Sequence, residues 1–155
     1  MKKLLLFLLF SVPFISYAQQ YDMSYLTFAK YIKEEMTDKE FKSIDEFFGG
    51  NFSGIICFYE YGDFSGDGAD EFVVITYEQN PDIDVYVFQG TDNETFEFVK
   101  KLSYRYWKSR YEVAILIKRG TLYVTSTDPK YEKWTWNNFK LQNGKLNLVK
   151  NDIYQ

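Results

Sequence analysis

The chain has 155 residues, a formal charge of −4 and no histidine. Without histidine it lacks the commonest general base, the usual zinc ligand and every Ser-His or Cys-His nucleophile pair. Its acidic balance disfavours nucleic acid, whose phosphates attract basic surfaces.

Met1-Lys2-Lys3 precedes a run from Leu4 to Ile15 in which Ser11 is the one polar side chain. Two lysines followed by about a dozen apolar residues are the first two regions of a secretory signal. Ser16-Tyr17-Ala18 then places small residues where a signal peptidase reads, so cleavage is expected after Ala18. A bilayer core requires roughly 20 apolar residues in a helix. This run is shorter, is broken by Pro13, and has no cysteine near its end to carry a lipid. The expectation is an exported protein, periplasmic or extracellular, with no membrane span once residues 1–18 are removed. Residues 19–155 have the length of one domain, and this mature part is more acidic because Lys2 and Lys3 leave with the signal. Aromatics form 21% of the chain, a large apolar payload for a small core. Cys57 is the single cysteine, which excludes an internal disulfide; its setting, Ile55-Ile56-Cys57-Phe58, reads as a buried small hydrophobe.

In residues 23–36, Tyr25, Phe28, Ala29, Ile32 and Met36 recur at helical spacing, with Ser24 as cap. A second helix is expected from Asp38, its cap, to Phe48, with Phe41, Ile44, Phe47 and Phe48 on one face and Gly49-Gly50 ending it. From Gly54 the period becomes two, and strands are expected at 54–60, 71–78, 83–89, 95–102, 111–118, 121–126, 131–141 and 145–150. Arg119-Gly120 reads as a tight reversal, and Asn143-Gly144 as a type I′ hairpin turn. Short connections imply antiparallel pairing, since parallel strands need long crossovers. The fold class is therefore α+β: an N-terminal helical hairpin followed by an antiparallel β-meander of about seven or eight strands.

The segment Asp63-Phe64-Ser65-Gly66-Asp67-Gly68-Ala69-Asp70-Glu71 carries chemistry. Oxygen donors fall at alternate positions: Asp63, Ser65, Asp67, the backbone carbonyl of Ala69, and Glu71. A hard cation such as Ca²⁺ takes six to eight oxygens at about 2.3–2.6 Å, some from backbone. Asp63, Asp67 and Glu71 would repel one another if packed together without a cation. The segment resembles the calcium loops of FG-GAP/VCBS-type repeats, in which Asp-x-(Asp/Asn)-Gly-Asp-Gly-x-x-Asp leads into an apolar strand. Phe72-Val73-Val74-Ile75 is that strand here, and the ninth-position ligand falls on Glu71. The resemblance covers about a tenth of the chain, with Ser65 in place of an Asp or Asn and one copy where propeller families carry several. It implies the local loop and strand pair, with Ca²⁺ in a structural role, and not a propeller. An EF-hand fits less well, because its twelfth ligand falls on Val74. The competing reading is an ordinary hairpin connection rich in Asp and Gly.

Catalysis is not expected. No nucleophile elbow, P-loop or dinucleotide fingerprint occurs. Glu60, Glu78, Asp82 and Asp84 are carboxylates, but nothing singles out a glycosidase-like pair. Two stretches are candidate binding surfaces for a protein or glycan partner. Lys100 to Arg110 interleaves five cations with Tyr104, Tyr106 and Trp107, and includes Arg105, Lys108 and Arg110; a solvated connection is the plainer reading. Trp134 and Trp136 share one face of a strand; exposed, they stack on a sugar ring, but burial in the core is the preferred expectation. Two functions suit these features: a calcium-stabilised exported module binding a ligand or protein partner, and an inhibitor or immunity-type protein that blocks a toxin or hydrolase.

Overall fold

The computed structural model describes residues 32–77, 82–105, 113–128 and 133–154. Among the described residues eight strands follow the helical segment: β1 (Ile56–Gly62), β2 (Glu71–Tyr77), β3 (Asp82–Gly90), β4 (Phe96–Arg105), β5 (Val113–Ile117), β6 (Leu122–Asp128), β7 (Lys133–Gln142) and β8 (Lys145–Tyr154). All pairings are between sequential strands and antiparallel. The meander does not run as one sheet, however. It divides into two four-stranded sheets, β1-β2-β3-β4 and β5-β6-β7-β8, whose apolar faces meet.

The first sheet is covered on both faces. Val73, Ile75, Val85 and Val87 face Val113, Ile115, Leu122, Val124, Phe139 and Leu141 of the second sheet. Phe72, Val74, Tyr86 and Phe88 point the other way, onto Ile32, Met36, Ile44 and Phe52 of the helical layer. Double coverage explains why Phe72-Val73-Val74-Ile75 is apolar without alternation. It makes a three-layer body in which the second sheet keeps one face toward water.

Helix α1 (Asp38–Phe47) begins one residue earlier than the Asp38 cap expected from sequence: Thr37 caps it. Glu40 N–H donates to Thr37 Oγ1 at 3.2 Å and Thr37 N–H donates to Glu40 Oε2 at 2.8 Å. This reciprocal capping box satisfies two otherwise orphaned donors, while Asp38 serves in the first turn. Ile44 is fully buried, whereas Phe47, placed on the same face by helical spacing, is exposed at the rim and stacks on Phe98 at 5.0 Å. The short helix α2 (Phe52–Ile55) occupies residues expected to begin a strand. Phe52 N–H donates to Asp45 Oδ1 at 3.1 Å, and its ring is fully buried. Of the helix expected at 23–36, residues 32–35 are helical and Met36 follows in a bend, while residues 23–31, with the expected signal segment, lie outside the described residues. Among the described residues no helix is long and apolar enough to cross a membrane.

Cys57 is half-buried rather than fully buried. It is the extra residue where the β1–β2 register shifts between Ile56 and Phe58, and a bulged residue is turned out of the regular pleat. Arg119-Gly120 and Asn143-Gly144 all have positive φ, as primed two-residue turns require.

The layering separates two kinds of aromatic substitution. Phe72→Ala, at the centre of the helix-side core, should cost about 3–5 kcal/mol. Trp136→Ala, on the uncovered face, should cost about 1 kcal/mol or less. Urea unfolding of both variants checks this, and equal losses would show that the outer face is covered.

Candidate metal centre

Gly62 at the end of β1 stands opposite Glu71 at the start of β2, so residues 63–70 form the loop between two paired strands. Much of it is held by its own side chains. Asp63 Oδ1 accepts from Gly66 N–H at 2.6 Å and Oδ2 from Gly68 N–H at 3.1 Å. Ser65 Oγ accepts from Asp67 N–H at 3.2 Å and donates to Asp63 Oδ1 at 3.4 Å. Asp67 Oδ1 accepts from Ala69 N–H at 2.9 Å. Gly66 and Gly68, at φ 82° and 91°, adopt the left-handed backbone these turns require. Hydrogen bonds of this kind also occur in ordinary Asp- and Gly-rich turns, so they do not separate a metal site from a hairpin connection.

Glu71 does. It is fully buried. Its Oε2 accepts from Phe64 N–H at 2.7 Å and Ser65 N–H at 2.9 Å, while its Oε1 is buried with no hydrogen-bond partner. Leaving a buried charged oxygen unpaired costs several kcal/mol unless something compensates it. One oxygen each from Asp63, Asp67 and Glu71 lies within 4.8 Å of the others. Oxygens sharing one Ca²⁺ lie at most about 4.6–5.2 Å apart, so the cluster has the span such an ion needs. Burial pushes the Glu71 carboxyl up from its ordinary range, against the pull of the Phe64 and Ser65 N–H groups. The Ala69 N–H and the Ser65 side chain hold Asp67 below its own. An all-oxygen donor set with three carboxylates fits a hard cation. Asp63, Ser65, Asp67 and Glu71 would hold it, together with the Ala69 carbonyl. Val74, the EF-hand alternative, is fully buried in the helix-side core.

Two neighbours were not evident from sequence. Gln89, near the end of β3, donates from Nε2 to Asp67 Oδ2 at 3.3 Å. Gly90 follows it, and a Cβ there would collide with the Asp70 backbone carbonyl. A glycine closing an otherwise apolar strand is the sequence signal for such a close backbone approach.

The other candidates separate. Tyr104 is half-buried against the inter-sheet core, which raises its phenol to about 12. The side chain of Arg105, and Tyr106, Trp107, Lys108 and Arg110 altogether, lie outside the described residues. Trp134 and Trp136 are 45% and 43% exposed, which corrects the expectation that they belong to the core. Period-two alternation sends Phe139 and Leu141 inward and the tryptophans outward, and the helices cover the first sheet instead of the second. Trp134 stands opposite Tyr154 and Trp136 opposite Asp152, whose carboxylate pairs with Lys150 at 2.6 Å. Among the carboxylates at strand ends, Asp84 is buried and engaged by Lys101 Nζ and Ser103 Oγ, each at 2.6 Å. Glu60 is half-buried, and burial raises its carboxyl. Glu78 and the side chain of Asp82 lie outside the described residues.

Comparison with protein-family models, curated proteins and solved structures yields no match to this chain.

The contact of Gly90 with Asp70 gives a test of loop placement. Gly90→Ala must push the Asp70 backbone away, at a cost of about 1–3 kcal/mol, and should weaken cation binding without altering any donor. Measured stability and calcium affinity equal to the parent would show that the loop does not rest on β3.

Proposed function

We propose that the chain is an exported, non-enzymatic domain in which residues 63–71 form an FG-GAP/VCBS-like calcium loop. The domain binds a ligand or protein partner in the periplasm or outside the cell. One observation carries the metal reading: the buried carboxylate of Glu71, with its Oε1 unpartnered, clustered with the carboxylates of Asp63 and Asp67. The role of the ion is structural, fixing the loop and the register of β1 and β2 at their joined end. The exposed Trp134 and Trp136, with Tyr154 across from Trp134, support the outer face of the second sheet as the ligand surface. Aromatic faces interleaved with Thr125, Thr127 and Asp152 suit a glycan, whose C–H faces stack on rings while its hydroxyls meet polar groups. This exposure favours the binding module over an inhibitor acting through a protruding loop.

Extracellular calcium modules bind with Kd of about 10⁻⁴–10⁻³ M. At 10 mM calcium such a site adds about 1.4–2.7 kcal/mol of stability by mass action, which should raise the thermal midpoint by roughly 5–10 °C over chelator. An unchanged midpoint would sink the calcium site. Glu71→Gln separates coordination from loop stability. It keeps an oxygen for the Phe64 and Ser65 N–H groups and removes the carboxylate repulsion. In chelator it should unfold at or above the parent's midpoint, and in calcium it should show no shift; a preserved calcium shift would exclude Glu71 as a ligand.

A further inference from the structure

Glu71 has two occupants to serve, and they belong to different parts of the molecule. Its Oε2 holds the backbone of Phe64 and Ser65, its Oε1 is buried without a hydrogen-bond partner, and its carboxylate lies in one cluster with those of Asp63 and Asp67. The Phe64 ring is 1% exposed and belongs to the core between the sheets, with Leu122, Val113, Ile115 and Leu141 of the second sheet. The loop also lies against that sheet's turns. A Cβ at Gly120 would stand 3.9 Å from the Phe64 carbonyl oxygen, and one at Gly62 would stand 3.9 Å from Ile117 Cγ2. Ser65, Gly66 and Asp67 border a cleft shared with Leu141, Gln142 and Asn143. The candidate cation position is thus one side chain away from the seam between the two sheets.

We propose that calcium at this loop is a latch between the sheets: the ion fixes Glu71, Glu71 fixes the backbone of Phe64, and Phe64 closes the loop end of the inter-sheet core. This rests on the loop holding a cation, as proposed above. When the ion is removed, Glu71 keeps a buried oxygen without compensation. Moving that carboxylate toward water releases the two N–H groups that position Phe64. The apo protein therefore opens at this end of the sandwich, while the helix-side core of Phe52, Phe72 and Phe88, on the far face of the first sheet, is unaffected. The latch responds to free calcium in the range where weak extracellular modules titrate. Energetic coupling is reciprocal: if calcium docks Phe64, weakening the docking of Phe64 must weaken calcium binding even though every donor is intact.

The test is a calorimetric calcium titration of the exported protein, of Phe64→Leu and of Phe52→Leu. Amide hydrogen exchange is followed with calcium and with chelator. Phe64→Leu should lower calcium affinity at least about fivefold, whereas Phe52→Leu, an equal truncation in the other core, should leave it within about twofold. Calcium should slow exchange at Phe64, at Ser65 and across the sheet seam at Lys118, whose N–H donates to Thr121 O at 2.9 Å. If calcium binds with equal affinity to both variants, or weakens equally in both, or leaves Lys118 exchange unchanged, the latch is overturned and the metal site stands. If the unaltered protein binds no calcium, the underlying metal reading fails along with the latch.

Discussion

The carboxylate of Glu71 is the constraint around which the loop end of the molecule is organised. It begins β2 opposite Gly62, so it stands where the first hairpin closes. Its Oε2 gathers the N–H groups of Phe64 and Ser65, which lets a polar loop send one ring into the core between the sheets. Burying a carboxylate is expensive, and two backbone donors satisfy half of it. The other half, Oε1, is buried without a hydrogen-bond partner, in a carboxylate that clusters with Asp63 and Asp67. A hairpin connection needs no buried glutamate, and a solvated Asp- and Gly-rich turn would leave this position exposed. A cation shared by the three carboxylates, as proposed above, would account for the burial, the missing partner and the convergence of like charges together.

The rest of the architecture follows from which faces are covered. The helical layer and the second sheet compete for no surface, because β2 and β3 carry apolar side chains on both faces. Phe72 and Phe88 serve one side while Val73 and Val87 serve the other. The second sheet has a single apolar face, and its outer face carries Trp134, Trp136 and Tyr154 among polar residues. Position in the layers, not residue type, decides whether an aromatic side chain here is core or surface: Phe64 and Phe72 are buried, while Phe98 and Trp134 are not.

Much of this was legible in the residues, and the misses have physical causes. Period-two alternation located all eight strands to within a few residues, and Asn143-Gly144 marked its turn because both residues accept positive φ. Alternation reports that a strand has two faces, but not what lies over each. The division into two sheets and the exposure of Trp134 and Trp136 depend on contacts between distant segments that no local pattern encodes. The Ile55-Ile56 pair masked α2, where the Phe52 amide is held by Asp45. Thr37 and Asp38 are equally good caps by residue type; Glu40, three residues after Thr37, decides between them. In the candidate site, the alternating donors of 63–71 were readable as a motif. The loop's support from Gln89 and Gly90 was not, since strand pairing alone brings those residues alongside. The burial of Glu71 was hidden for the same reason.

The most direct measurement is the stoichiometry of calcium bound by the protein and by Glu71→Ala, obtained by calorimetric titration with Ca²⁺ at millimolar concentration. One ion per chain in the parent and none in the variant is the result required by a cation held on Glu71, Asp63 and Asp67. No binding to the parent, or one ion retained after the Glu71 carboxylate is removed, would contradict it.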